Sequence, residues 1–329
     1  MNKEIDLKGK DVTGDPIVER VIDAKAKVER MARELAAIRK DRDQLLDEYT
    51  DLRNARPVPV SPSPKAKQSE AFVRVDVGDI HGMRMDPKAV GAFLSDLKVI
   101  KPDEIVIGGD LVECGGWLAK HQPIGYVASA DYSYQEDIAA ANWFLDQVQK
   151  IVPGAAIHYI EGNHEDRVER WIIDQTMANA RDAEFLLEAF SPQSLLRLKE
   201  RNIQYYRRSE TYVEGLPPGW IKLGKMFYTH TLGTGKNAAR SAVEKTAGNV
   251  VYFCSHREDT ATVVLPGVGM VKAFNPGCMC VRQPLWRHSD PTSWSHGYGV
   301  TLVTPSGNFQ RIHVPIWNGE SLGAAIKVR

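Results

Sequence analysis

Four short polar clusters stand out, each directly after an apolar run that reads as a strand. They are Gly78-Asp79-Ile80-His81-Gly82, Gly109-Asp110-Leu111-Val112-Glu113, Gly162-Asn163-His164-Glu165 and Tyr228-Thr229-His230. Loops beyond the carboxyl ends of sheet strands are where α/β proteins place ligand sites. Carboxylate oxygen and imidazole nitrogen together suit Mn, Fe, Zn or a related divalent ion, and a carboxylate can bridge two of them. One such cluster would mark no more than a turn capped by Asp or Asn. Four in order point to a metal centre assembled from distant parts of the chain.

The elements that must position these clusters follow from patterning. AFVRVDVG, DEIVIGGD and AAIHYIEG read as strands, with DPKAVGAFLSDLKVI and residues 136–151 as helices between them. After a helical region over 165–205 the chain turns strand-rich: IKLGKMFYTH, NVVYFCSH, TATVVLP, GMVKAFNPG, GYGVTLVTP and FQRIHVPIW. Parallel units first and antiparallel strands later suggest two facing sheets flanked by helices. The N-terminal part differs in kind. Residues 1–15 read as an extended or disordered start. Over 16–55, Val21, Val28, Leu35, Arg42 and Tyr49 interleave with Ile17, Ala24, Met31, Ile38, Leu45 and Leu52, the a/d seam of a coiled coil over about five heptads. Residues 56–70 form a Pro-rich linker, and 71–329 the remaining domain.

In their order, the clusters resemble the signature of the calcineurin-like metallophosphoesterase superfamily: D-x-H, G-D-x-x-D, G-N-H-E/D, H and G-H-x-H. The stretch Gly162 to Arg167, a late N-x-G-C-x-C at Asn275 to Cys280 and W-x-H-G at Trp294 to Gly297 are similar to the bacteriophage-type members. The resemblance spans about residues 71–317 and implies an α/β, four-layer α-β-β-α sandwich. It also implies that Asp79 and His81 bind a first metal, that Asp110 bridges two, and that Asn163 and His230 bind the second. His164 would face the scissile phosphate and assist the leaving group, with Glu165 and Glu113 orienting their neighbours. Asp110, His164 and Glu165 are thus the expected catalytic set, and Arg167, Asn163 and His164 the expected substrate contacts. Two divalent ions are implied, manganese first, with Zn, Fe, Ni or Co as alternatives. Such a pair holds and acidifies a water and clamps phosphoryl oxygens during in-line attack.

Departures from the pattern leave choices open. Glu113 stands for the second acid of G-D-x-x-D. The closing G-H-x-H reads in one of two registers. Ser255-His256-Arg257-Glu258 puts Glu258 at the last histidine. Phe253-Cys254-Ser255-His256 puts Cys254 at the first and makes Cys254 and His256 ligands. The second register is preferred, because it leaves Asn249–Tyr252 as the preceding strand; a thiolate there favours zinc or iron, or marks a weakened site. Cys254 as a buried core cysteine stays open. Arg167 binds phosphate or pairs with an acid such as Glu169. Cys278-Met279-Cys280 lacks structural-zinc spacing and reads as packing. Trp117, Tyr126, Tyr132 and Tyr134 either rim the pocket or pack a long insertion.

Composition narrows the function. Of 329 residues, 42 are Lys or Arg and 42 Asp or Glu, so the formal charge is zero; this excludes a highly basic nucleic-acid binder. No apolar run of about 18 residues argues for a membrane span, the N-terminus lacks a signal-peptide core, and four scattered cysteines fit a reducing cytoplasm. The expectation is a metal-dependent phosphoesterase acting on nucleic acid or nucleotide diesters, homo-oligomeric through residues 16–55. A Ser/Thr-type protein phosphatase is disfavoured, since Cys114 occupies the position of that group's phosphate-binding arginine. A non-hydrolytic assembly protein is the remaining rival.

Overall fold

The computed structural model describes residues 70–120, 131–176, 180–284 and 291–326, together with eight positions between 23 and 36. The chain divides into two units, residues 1–55 and 56–329. In the first, Asp23, Lys25, Ala26, Lys27, Glu29, Arg30, Arg33 and Ala36 are helical and exposed. The apolar seam expected of a coiled coil, and all of the Pro-rich linker but its last residue, Glu70, lie outside the described residues.

In the second unit, two sheets form. One has the order β12-β11-β10-β1-β2-β3-β4, with β1 Phe72–Val77, β2 Glu104–Ile107, β3 Ala156–Ile160, β4 Gln204–Tyr206, β10 His296–Val303, β11 Phe309–Trp317 and β12 Glu320–Ser321. The other runs β5-β6-β7-β9-β8, with β5 Ile221–Leu223, β6 Met226–Thr229, β7 Asn249–Tyr252, β8 Glu258–Leu265 and β9 Gly269–Pro276. Val106, Ile160 and Tyr206 from the first sheet pack with Ile221, Tyr228, Val251 and Phe253 from the second. Helices α1 (Pro87–Ile100) and α2 (Tyr134–Ile151) cover the outer face of the first sheet through Phe93, Leu97, Phe144 and Leu145. Helix α6 (Ala238–Thr246) covers the second through Ala239, Ala242 and Val243. Between β3 and β4 lie α3 (Asp166–Thr176), α4 (Ala183–Phe190) and α5 (Pro192–Leu195).

Local sequence explains the carrier elements. Helix α1 starts where the Asp86 side chain accepts the N–H groups of Lys88 and Ala89, with Pro87 at the first position, and stops at Lys101, φ 48°. Its buried face, Ala89, Val90, Phe93, Leu97 and Ile100, recurs at helical spacing. Truncating the fully buried Phe93 to Ala would cost about 3–5 kcal/mol.

Two expectations about strands need correction. IKLGKMFYTH is not one strand but the hairpin β5–β6, reversing at Gly224, φ +66°. The late strands are not uniformly antiparallel either: β6–β7 and β7–β9 are parallel, while β10 joins the first sheet antiparallel to β1. The consequence is functional. The first sheet contains a run of four parallel strands, β1-β2-β3-β4, and the second a parallel trio, β6-β7-β9.

Candidate metal centre

The polar clusters follow these parallel strands. Asp79 and His81 follow β1, Asp110 follows β2, Asn163 and His164 follow β3, His230 follows β6, and Cys254 and His256 follow β7. Asp79, His81, Asp110, Cys254 and His256 all have left-handed backbone, with φ between 50° and 70°. Such conformations are uncommon outside Gly and cluster where a site over-determines the backbone. They are held by the main chain. The N–H of Asp79 donates to Gly109 O, those of Ile80 and His81 to Asp110 O, and that of Phe253 to His230 O. At Gly109 a Cβ would stand 2.5 Å from His230 Nδ1, and at Gly162 one would stand 2.1 Å from Asp110 Oδ1. Only glycine lets the loops approach this closely.

Two buried carboxylates fasten the loops without entering the cleft. Glu165 accepts the N–H groups of Asp110 (3.0 Å), Leu111 (2.7 Å), Val112 (3.3 Å) and Gly162 (2.8 Å), and the Tyr159 hydroxyl (2.6 Å). Burial and the Asp110 carboxylate push its carboxyl up to about 7, while these donors favour the charged form. Since every neighbour is oriented as a donor, the ionised form fits the geometry. Asp137, from the first turn of α2, accepts from Met83 N, Glu113 N, Cys114 N and the Tyr132 hydroxyl. Sequence reading did not single out Asp137; its buried position in a helix first turn beside the motifs was the available signal.

At the centre, electron-pair donors face one another. Asp79, His81, Asp110 and His256 offer ligand atoms within 4.8 Å of one another, all buried. His81 Nδ1–H donates to Glu113 Oε2 at 2.7 Å, which leaves its Nε2 lone pair directed at His256 Nε2, 3.3 Å away. Asp79 Oδ1 is buried without a hydrogen-bond partner and lies 3.3 Å from His256 Nε2. On the other side His230 Nδ1–H donates to Gly108 O at 2.7 Å, so Nε2 faces Asn163 Oδ1 at 3.1 Å and Asp110 Oδ2 at 3.3 Å. The Cys254 thiol donates to Asn163 Oδ1 at 3.3 Å.

Acceptor facing acceptor is unfavourable without a cation between them. Titration behaviour gives the same answer. Burial works against charged imidazoles, yet Glu113 carries His81 above its usual value, Asp79 brings His256 up to about 9, and Asp110 with Cys254 carries His230 well up. Burial resists ionisation of Asp110 too, yet His164 and His230 hold it well below the usual range. The cluster demands positive charge, and divalent ions meet that demand without protons. The orphaned Asp79 oxygen and the hard-oxygen and imidazole donors therefore fit the divalent ions expected from the sequence.

His164 and Arg167 stand over the cluster. His164 Nδ1–H donates to Glu113 O, and Arg167 Nη2 donates to His164 Nε2 at 2.7 Å. Arg167 Nη1 also donates to Glu113 O and Cys114 O, both at 3.1 Å. Burial, with His81 and Arg167 nearby, holds His164 down at about 3 despite Asp110. The ring is neutral. Arg167 spends its donors on the site itself and not on Glu169, which pairs with Arg207.

Of the residues in the two closing registers, Cys254 lies against Asn163, while Glu258 Oε2 lies 3.3 Å from His313 Nε2. Cys278 is fully buried, whereas Cys280 is placed differently from its sequence reading as packing. Cys280 Sγ lies 3.6 Å from His256 Nδ1, and the thiol lines the cleft. Among the described aromatics of the insertion, Trp117 packs on Trp171, and the hydroxyls of Tyr132 and Tyr134 bond Asp137 and Phe190 O; none lines the cleft. The cleft holds about 570 Å³ above His81, Asp110, Asn163, His164, Cys254 and His256, with Trp294, Pro284 and Val281 as an apolar wall.

Comparison with known proteins adds the following. No curated protein matches the chain. Among solved structures, vacuolar protein sorting 29 from Cryptosporidium parvum is similar at 9% identity and TM-score 0.40, over 77% of this chain and 95% of that one. YfcE, a phosphoesterase from E. coli, is similar at 14% identity and TM-score 0.32, over 73% and 98%. Vps29 from Chaetomium thermophilum is similar at 12% and 0.32, over 74% and 97%. These likenesses are too distant to bear on activity. The family model described as calcineurin-like phosphoesterase matches residues 77–289, and the chain belongs to that family.

Proposed function

We propose that this protein is a metal-dependent phosphodiesterase acting on nucleotide or nucleic-acid esters. The observation that carries the reading is the set of acceptors facing one another: the buried Asp79 Oδ1, His81 Nε2 and His256 Nε2 on one side, the partly buried Asn163 Oδ1 and the buried His230 Nε2 on the other, with Asp110 between. Asp79, His81, Asp110 and His256 would hold one divalent ion; Asp110, Asn163, His230 and Cys254 a second. Manganese fits the oxygen and imidazole donors, and the Cys254 thiol shifts the second position towards zinc or iron. The ions, when bound, supply an acidified water and neutralise phosphoryl charge.

The chain's own residues do the rest. Glu113 fixes the His81 ring through Nδ1, and Gly108 O fixes His230 in the same way. His164, 3.7 Å from Asp110 Oδ2, faces the leaving group. Its Nε2 must take up a proton before it can give one. Burial opposes that uptake most, Asp110 favours it, and His81 and Arg167 add to the opposition. Protein phosphatase chemistry is disfavoured, because Cys114 is fully buried and its position does not reach the cleft. Residues 16–55 would pair as a coiled coil and make the protein a homo-oligomer. Among the described residues no helix is long and apolar enough to cross a membrane, and a cytoplasmic setting belongs to the same proposal.

The test is turnover of bis-(4-nitrophenyl) phosphate by protein loaded in turn with Mn, Zn, Fe, Co and Ni, with metal content measured alongside. Activity abolished in a folded Asp110→Asn variant is expected. Metal-replete protein that turns over no diester would overturn the reading and favour a scaffold.

A further inference from the structure

Arg84 lies three residues after His81, at the end of the short 3-10 helix Gly82–Arg84. Its backbone is fixed on both sides: its N–H donates to His81 O at 2.7 Å, and its carbonyl accepts from Val281 N at 2.9 Å. The side chain is half-buried and lines the same cleft as the ligand cluster. Among the described residues its guanidinium makes no hydrogen bond or ion pair.

That is unusual for an arginine with so little access to water. Arg74 meets Glu104, Arg201 meets Asp146, Arg207 meets Glu169 and Arg311 meets Asp76. Both acids that line the cleft are already engaged: Glu113 is bonded to His81, and Asp110 accepts the His164 N–H and faces His230. The other cleft arginine, Arg167, is tied to two carbonyls and His164. A planar cation with no partner among the described residues, lining the cleft of the proposed metal centre, is matched to the oxygens of a phosphate, which a guanidinium binds bidentately.

We propose that Arg84 is the side chain that grips the phosphate of the substrate ester, leaving Arg167 to hold His164. This rests on the proposed phosphoesterase function and adds the residue that anchors its substrate. The Trp294 ring, centred 4.0 Å from that of His256, and Pro284 form the wall on which the alcohol part of the ester would lie.

The test uses the full chain loaded with manganese and inorganic phosphate as the probe. Phosphate and manganese affinities are measured by calorimetry for wild type, Arg84→Ala and Arg84→Lys. Losing charge-assisted bonds should weaken phosphate about 10- to 100-fold in Arg84→Ala, with manganese affinity unchanged. Arg84→Lys should recover part of the loss, because it keeps the charge but not the fork. In turnover of bis-(4-nitrophenyl) phosphate, KM should rise more than kcat falls. If Arg84→Ala fails to fold, Arg84→Gln, which keeps the stem, carries the same measurements. Unchanged phosphate affinity, or a parallel loss of manganese, overturns the proposal. Wild-type protein that binds manganese and phosphate but hydrolyses nothing would sink the enzymatic reading alone, since the phosphate measurement still judges Arg84.

Discussion

Replacing Glu165 by Gln changes one atom type in a side chain that never reaches the cleft, yet it should damage both stability and metal binding. The carboxylate accepts five hydrogen bonds, and its two oxygens divide them. Oε1 takes Leu111 N, Val112 N and the Tyr159 hydroxyl, while Oε2 takes Asp110 N and Gly162 N. Gln can present its carbonyl to one group only, so its NH2 must point at donors on the other side. The gentler orientation forfeits two bonds to a charged acceptor, about 1.5–3 kcal/mol each. Removing a buried charge beside Asp110 returns part of this, and a net loss of about 2–4 kcal/mol remains. For a domain of this size that lowers Tm by about 5–12 °C. The measurement is thermal unfolding by circular dichroism in EDTA, so that lost metal does not contribute. Manganese titration of the same variant should show about 10- to 100-fold weaker binding, because the loosened N–H groups belong to the loops carrying Asp110 and Asn163. An unaltered Tm in EDTA would refute the fastening role and the geometry behind it.

Other outcomes follow from neighbouring contacts. Cys254→His should shift the second position away from zinc and towards manganese, read by competitive titration of the two metals; an unchanged preference would exclude Cys254 as a ligand. Cys280→Ser should alter the d–d spectrum of cobalt-loaded protein, since Cys280 Sγ faces the outer nitrogen of His256; an identical spectrum would make the contact mere packing. Burial holds His313 down at about 4, with Arg311 adding to this, so its ring is neutral in the folded chain but protonated in the unfolded chain below about 6.5. Stability should therefore fall as pH drops from about 6.5 to 4, by at most about 3 kcal/mol and less if Glu258 compensates, and His313→Gln should flatten that slope. Removing residues 1–55 should reduce the mass seen by light scattering; an unchanged stoichiometry would remove the coiled coil from the assembly.

Much of the centre was legible because its chemistry is concentrated in short motifs. Asp79 and His81 share one turn, Asn163 and His164 are adjacent, and each motif ends an apolar run. What escaped was contact across long separations. Cys280 meets His256 from 24 residues away because β9 is parallel to β7 and delivers its loop to the same edge; a run of small apolar residues does not announce its partner strand. The reading of late strands as antiparallel hid that delivery. Strand β4 has three residues and β12 two, too short for any alternation to register. The Gly224 hairpin was missed because Leu-Gly-Lys-Met interrupts the apolar pattern by only two residues.

The two parallel runs have one more consequence. Asp79, His81, Asp110 and Asn163 belong to one sheet, whereas His230, Cys254 and His256 belong to the other. Each proposed ion would therefore act as a rivet driven through the seam between the layers. Stripping the ions should free the halves to shear, and proteases should find cut sites along that seam well before the domain melts.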